Sequence, residues 1–378
     1  MPPPAAERTP EPRRAGTVRP TFPKPSPTTW CLLHWRLVNE SLKAETEKLT
    51  RMWMRHDADW LGEYLVSGVE DPRLNMQSIL TRHVLTRELF GEMFSELMRE
   101  ELRFGAVMNW LCSVPGINDN PEEAAVILDA LRRGSDNAEG LSIPRFLLQT
   151  FAAPPTTFEN SSVPNYMQDY LKAPEGEKEP SSQKEESLDM FARLWNRALS
   201  KAIPRAPRLS VLEPACGSAN EYRFLHRYGL AQFLEYRGFD LCEKNVANAR
   251  ALEPGAEFKV GNVFEIDAGD RAYDWSIVHD LFEHLSLEGM HAAIGEVCRV
   301  SREGICVGFF QMDEIPEHRV RHLSEYFCNR LSREQTARAF AEHGFTTQTF
   351  HIETFLRAEL GWGDTHNPFA HTFVLRRT

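Results

Sequence analysis

Two acids at the ends of two short apolar runs are the residues best placed by type and spacing to do chemistry. In Val211-Leu212-Glu213-Pro214-Ala215-Cys216-Gly217-Ser218-Ala219-Asn220 an apolar run ends in Glu213 and then breaks into small residues before Tyr222-Arg223-Phe224-Leu225. That is the pattern of a buried strand, a tight turn and a helix start. Small residues at Ala215, Gly217 and Ala219 let a ligand approach the backbone closely. Glycine stands at only one of the three positions of the dinucleotide fingerprint, and an acid at the strand end repels a pyrophosphate. A carboxylate there suits a cationic ligand that carries an amino acid. The second acid, Asp240, ends the short run Tyr236-Arg237-Gly238-Phe239-Asp240-Leu241, roughly 20 residues beyond the glycine loop, where a carboxylate accepts from both ribose hydroxyls. It equally suits the N-cap of the helical stretch Glu243 to Arg250.

Glu-Pro-Ala-Cys-Gly-Ser-Ala at Glu213 to Ala219 resembles the first motif, commonly E-P-A-C-G-x-G, of class I S-adenosylmethionine-dependent methyltransferases. The resemblance runs from about Leu209 to Thr378 and includes further landmarks in the family's order. It implies that Glu213, Ala215, Gly217, Asp240 and Leu241 line a cofactor site. Phe258-Lys259-Val260-Gly261-Asn262-Val263-Phe264-Glu265 falls where the family usually has an acid for the adenine amino group. Asn262 stands there instead, and its amide oxygen can still accept from an exocyclic amine, with Val263 or Phe264 against the purine face.

Tyr273 to Leu285, with Asp280-Leu281-Phe282-Glu283-His284-Leu285, resembles the family's fourth strand and its D-x-x-E-H-L helix start. His279 and Asp280 should then face the site, since ligands sit at the carboxyl ends of strands in open α/β sheets. His279 is a candidate cofactor contact and general base, with His284 the second catalytic candidate; alternatively His279 only shapes the pocket. Asp280, Glu283, His284 and His322 also resemble the ligand set of metal-dependent 2′-O-methyltransferases of small RNAs and ubiquinone-pathway O-methyltransferases. D-x-x-E-H-L also occurs in members without metal, where the carboxylates cap the helix and bond neighbouring loops, and the reading adopted takes no metal. The N/D-P-P-Y/F turn common among amino-group methylators is replaced by His-Asp-Leu-Phe. That favours oxygen on a small-molecule acceptor. RNA or protein as substrate, or an inactive cofactor-binding scaffold, are the alternatives; the acidic total charge weighs against RNA, and the intact glycine loop and Asp240 weigh against a scaffold.

The elements that must position these residues follow from periodicity. Glu303 to Gln311, Phe345 to Phe350 and His371 to Leu375 read as three more strands, and Ser332 to Phe340 as a capped helix. The fold class expected is therefore α/β, a Rossmann-like seven-stranded methyltransferase sheet with helices on both faces and a late antiparallel strand. Upstream, residues 1–27 are proline-rich and basic, the composition of a disordered arm. Residues 28–170 read as a helical cap or substrate domain, from Trp30, Leu33, Val38, Leu42 and Leu49 through Leu89, Phe90, Met93, Phe94 and Leu97. Residues 171–188 read as a charged linker, and 189–378 as the cofactor-binding domain, opened by a helix over Leu188 to Ala202.

Composition sets the outer bounds. The 378 residues, 42% of them hydrophobic, suffice for two domains with full cores. A formal net charge of −11 argues against a general nucleic-acid surface, and the basic stretch His318 to Arg330 reads as a solvated helix face. Seven cysteines without a C-x-x-C pair give no disulfide or zinc framework. No apolar run reaches the ~20 residues of a membrane span. A cytoplasmic protein, with a homodimer through the helical domain as a possible assembly, is expected.

Overall fold

Short apolar runs bounded by turn residues form parallel strands that are covered on both faces and are therefore apolar almost throughout. The computed structural model describes residues 27–64, 71–113, 126–127, 129–131, 133–138, 141–143, 145–152, 189–361 and 367–378. The strands are β1 (Leu209–Pro214), β2 (Leu234–Asp240), β3 (Glu257–Val260), β4 (Tyr273–His279), β5 (Ser301–Phe309), β6 (Phe345–His351) and β7 (His371–Arg377). They lie side by side in the order β6-β7-β5-β4-β1-β2-β3. Only β7 runs antiparallel to its neighbours, β5 and β6. This is the sheet expected from the sequence. Its strand order reverses between β1 and β4, and an open α/β sheet binds its ligand at the carboxyl ends beside such a switch point.

The helices are α1 (Pro27–Met54), α2 (Ala58–Glu63), α3 (Met76–Phe90), α4 (Ser95–Ser113), α5 (Arg145–Ala152), α6 (Met190–Leu199), α7 (Asn220–Arg227), α8 (Glu243–Leu252), α9 (Leu287–Val300), α10 (Arg333–Glu342) and α11 (Ile352–Leu360). Ser332 caps α10 as its sequence position suggests, accepting from Gln335 N. Among the described residues, no helix is long and apolar enough to cross a membrane.

The chain divides into two compact units, residues 1–41 and 42–378. Within the second unit, polar as well as apolar packing joins α3 to the sheet. Gln77 of α3 donates its amide to the carbonyls of Phe309 (2.8 Å) and His371 (2.6 Å) at the ends of β5 and β7, which makes α3 part of the sheet's covering layer. Residues 1–26, the segment 171–188, and the side chains of Trp30, Leu33, Val38, Met108 and Trp110 lie outside what is described.

Helices α3, α4 and α6 meet on one buried carboxylate. Glu101 accepts from Arg82 Nη2 (2.9 Å), His83 Nε2 (2.7 Å) and Trp195 Nε1 (2.8 Å). Burial alone would raise its pKa, but the Arg82 charge and the His83 hydrogen bond outweigh it and hold the group at about 2. Trp195→Phe removes one of the three donors, and the unfolding free energy should fall by about 2 kcal/mol. An unchanged urea midpoint at constant m-value would contradict this role.

The stretch from His318 to Arg330 is not helical. It folds into two short antiparallel strands, His322–Leu323 and Tyr326–Phe327, closed by Ser324 at φ 32°. The buried Asn329 side chain donates to Leu285 O (2.7 Å) and accepts from Arg321 N (3.1 Å), so contacts distant in sequence override the charge pattern.

Candidate functional site

Strand β1 ends at Pro214 and the chain turns through three left-handed residues, Ala215 (φ 55°), Gly217 (φ 54°) and Ala219 (φ 65°), before α7 begins. Such backbone is costly outside glycine and persists where surrounding contacts fix it. Here Cys216 N donates to Phe239 O (3.0 Å) and Gly217 N to Asp240 Oδ2 (3.0 Å). Asp240 is the hub of the turn. Its Oδ1 also accepts from Cys242 N (2.8 Å) and Asn245 Nδ2 (3.1 Å). A carboxylate offers about four lone-pair directions, so one on Oδ2 remains. Burial raises the Asp240 pKa, and these three donors oppose the rise.

Glu213 lies on the neighbouring strand end and is buried. Its Oε2 accepts from Tyr236 Oη at 2.5 Å. Burial, with Glu221 and Asp240 nearby, pushes its pKa well above the usual carboxylate value against the lowering by Tyr236. Glu221, in the first turn of α7 and 6% exposed, accepts from Ser78 Oγ through Oε1, while its Oε2 is buried with no hydrogen-bond partner among the described residues. The sequence reading did not single out Glu221, Ser78 or Tyr236. Cys216, within the same loop, is buried with its thiol pKa pushed well up, the mark of an inert thiol.

At the end of β4, His279 sits between α3 and β5. Thr81 Oγ1 donates to Gln77 O (3.0 Å) and contacts His279 Nε2 at 3.1 Å. The hydroxyl proton is engaged, so Nε2 carries the imidazole hydrogen and donates. On the other side His279 pairs in register with Gly308, where a Cβ would stand 2.7 Å from Nδ1. Only a glycine there leaves room for the ring.

A methyltransferase-domain family profile matches residues 211–304, the stretch from β1 into β5 that holds the loop, both acids and His279. Residues 211–304 thus belong to a methyltransferase domain, and the sheet order around them is that of the class I fold. No curated protein matches the chain. Solved structures similar to it include an S-adenosylmethionine-dependent methyltransferase from Mesorhizobium loti, at 16% identity over 50% of this chain and 99% of that one, TM-score 0.38. Another comes from Methanosarcina mazei, at 13% identity over 46% and 93%, TM-score 0.36. A third is the magnesium protoporphyrin IX methyltransferase of Synechocystis PCC 6803 with bound S-adenosylhomocysteine, at 15% identity over 52% and 87%, TM-score 0.34.

In this methyltransferase domain the third strand end holds Asn262, whose Oδ1 accepts from Phe264 N (3.0 Å) and whose Nδ2 donates to Thr46 Oγ1 (3.1 Å) on α1. Val263 is buried in the cluster with Phe239 and Leu49, and Leu241 packs against it. Past α1, a strap from Met54 to Gly62 is fastened by side-chain donors from the domain. Lys244 Nζ donates to Met54 O and His56 O (both 2.8 Å), Asn248 Nδ2 to Ala58 O (2.6 Å), Ser218 Oγ to Leu61 O (2.9 Å) and Arg223 Nη2 to Gly62 O (3.2 Å). These donors come from the loop after β1 and from the helices that follow β1 and β2.

Asp280, Glu283, His284 and His322 are not gathered into a metal-ligating group among the described residues. Asp280 is left-handed (φ 49°) with its N–H on Gly308 O (3.3 Å). Glu283 is fully buried, and its Oε1 accepts from Phe310 N (2.8 Å) and Gln311 N (3.3 Å), tying the β4 end to the β5 end. His322 is exposed on the hairpin against the Phe327 ring. His284 is set apart from the other three by its tautomer. Its Nδ1 lies 3.0 Å from Phe327 O, and a carbonyl can only accept, so Nδ1 bears the hydrogen and Nε2 a lone pair. Burial lowers the His284 pKa against the raising effect of that carbonyl, and the rings of Phe310 (5.2 Å) and Tyr326 (5.5 Å) flank it.

Burial raises Glu283 to about 7, the two loop N–H groups notwithstanding. An acid whose folded pKa lies above its unfolded value adds stability that is complete below the unfolded pKa, 4.5, and is lost as pH rises through about 7. Urea midpoints of the native chain should therefore fall between pH 5 and pH 8 by more than those of Glu283→Gln. Parallel pH profiles would contradict the shift.

Proposed function

We propose that the protein transfers the methyl group of S-adenosylmethionine to a hydroxyl of a small molecule, with His284 as proton acceptor. The observation that carries this reading is the neutral His284 imidazole, its lone pair on Nε2 fixed by the Phe327 carbonyl, between two aromatic rings at the ends of β4 and β5. A hydroxyl must lose its proton on methylation, and a base of pKa near the working pH serves best.

The residues at the strand ends fit the donor. S-adenosylmethionine carries a sulfonium, an ammonium and a ribose, and the buried acids Glu213 and Glu221, the latter with an unpartnered oxygen, supply acceptors; a bound cation would favour the ionised form of Glu213 against the effect of burial. Asp240 retains acceptor capacity for the ribose. Leu241, Val263 and Asn262 suit the purine position, and the small residues Ala215 and Gly217 of the left-handed turn would let the ligand approach the backbone closely.

When bound, the cofactor supplies an electrophilic methyl carbon. His284 would take the hydroxyl proton while the methyl group passes to the acceptor oxygen, the products being a methyl ether, a neutral thioether and a protonated imidazole. His279, held at both ring edges by Thr81 and Gly308, forms the pocket wall. No metal ligand set enters this scheme. Acceptor-dependent formation of S-adenosylhomocysteine with a panel of small phenols and alcohols tests the reading; formation only when protein or RNA is supplied contradicts it.

A further inference from the structure

Asparagine at the purine position has a weakness that aspartate lacks, because an amide presents an acceptor or a donor depending on how it is turned. Helix α1 and the Phe264 backbone together remove that freedom. Thr46 Oγ1 donates its single hydrogen to Leu42 O at 2.8 Å, so its oxygen can only accept from Asn262, and it does so from Nδ2 at 3.1 Å. On the other end Asn262 Oδ1 accepts from Phe264 N at 3.0 Å. Turning the amide over would set its NH2 against the Phe264 N–H and its oxygen against a threonine oxygen whose proton is engaged. Both bonds would be lost.

Thr46 is itself held in place. One residue earlier, the Glu45 carboxylate accepts from Ser286 N and Ser286 Oγ, both at 2.6 Å, which fastens this turn of α1 to the start of α9. One turn later, Thr50 Oγ1 donates to Thr46 O at 2.8 Å.

We infer that Thr46, far upstream of the methyltransferase domain, is a positioning residue that makes Asn262 offer an oxygen rather than an N–H to the purine edge, and so selects a purine bearing a 6-amino group. This rests on the assignment of Asn262 to the purine made above. An amine donates to the free lone pair of Oδ1, whereas a 6-oxo purine would set oxygen against oxygen. The selectivity thus comes from two contacts acting together, Thr46 Oγ1 on Nδ2 and Phe264 N on Oδ1.

The experiment compares binding of S-adenosylhomocysteine with that of S-inosylhomocysteine, its 6-oxo counterpart, to the full chain and to Thr46→Val, Thr46→Ser and Asn262→Asp variants. The native chain should favour the 6-amino ligand by about tenfold, one hydrogen bond against one clash. Thr46→Val should shrink that preference severalfold, because the Phe264 N–H alone then resists the turning of the amide. Thr46→Ser, which keeps the hydroxyl, and Asn262→Asp, which presents oxygen in both orientations, should keep the preference. A Thr46→Val protein with the native preference overturns the positioning role. A native chain that binds both ligands alike overturns the placement of Asn262 at the purine.

Discussion

Replacing His284 by alanine should lower kcat by at least about 100-fold, the range removed with a general base, while the Kd for S-adenosylhomocysteine stays within about threefold, because no cofactor contact is assigned to this ring. The pH profile should separate this from a structural effect. Burial holds the His284 pKa below its ordinary 6.5, so kcat of the native enzyme should be level near neutrality and fall only as pH drops below that value and the imidazole is protonated. His279→Ala should keep this acid limb and lose less activity, since Nε2 of His279 is committed to Thr81. A His284→Ala enzyme with the native acid limb would assign the proton to another group.

Asp240→Ala should weaken cofactor binding by roughly 100-fold, close to 3 kcal/mol, because it deletes a charged acceptor and the ligand bonds made to it. The effect has two parts. The remaining lone pair of Oδ2 would be lost to the ribose, and the N–H groups of Gly217 and Cys242 would lose the acceptor that shapes the loop. Asp240→Asn keeps the size of the side chain but turns one oxygen into a donor, which cannot serve both Gly217 N and Cys242 N together. Both variants should therefore bind weakly, with a modest fall in melting temperature. Native affinity in Asp240→Ala would remove Asp240 from the cofactor site.

The parts of this molecule legible in the sequence are those set by short-range pattern. Glu213 and Asp240 stand out because an apolar run ends at each, and the sheet follows from the spacing of such runs. The donor wall supplied from upstream is not legible. Thr46, Ser78 and Thr81 lie in helices whose spacing reads as ordinary core, and their partners Asn262, Glu221 and His279 are well over a hundred residues away. Glu283 and His284 were visible as an acid and a histidine, but whether they bind metal, cap a helix or take a proton depends on Phe310, Gln311 and Phe327. Those partners arrive only with β5 and the hairpin after it. The hairpin is not legible either, because its charges mimic a helix face while Asn329 and the strand pairing at His322 and Tyr326 decide its shape.

The most direct test of small-molecule oxygen methylation is to supply methyl-labelled S-adenosylmethionine with a panel of small hydroxylated aromatic acceptors and to locate the label in the product by NMR. A methyl ether formed by the native enzyme and nearly absent with His284→Ala is the expected result. Label found on nitrogen or carbon, or only in added protein or RNA, would contradict it.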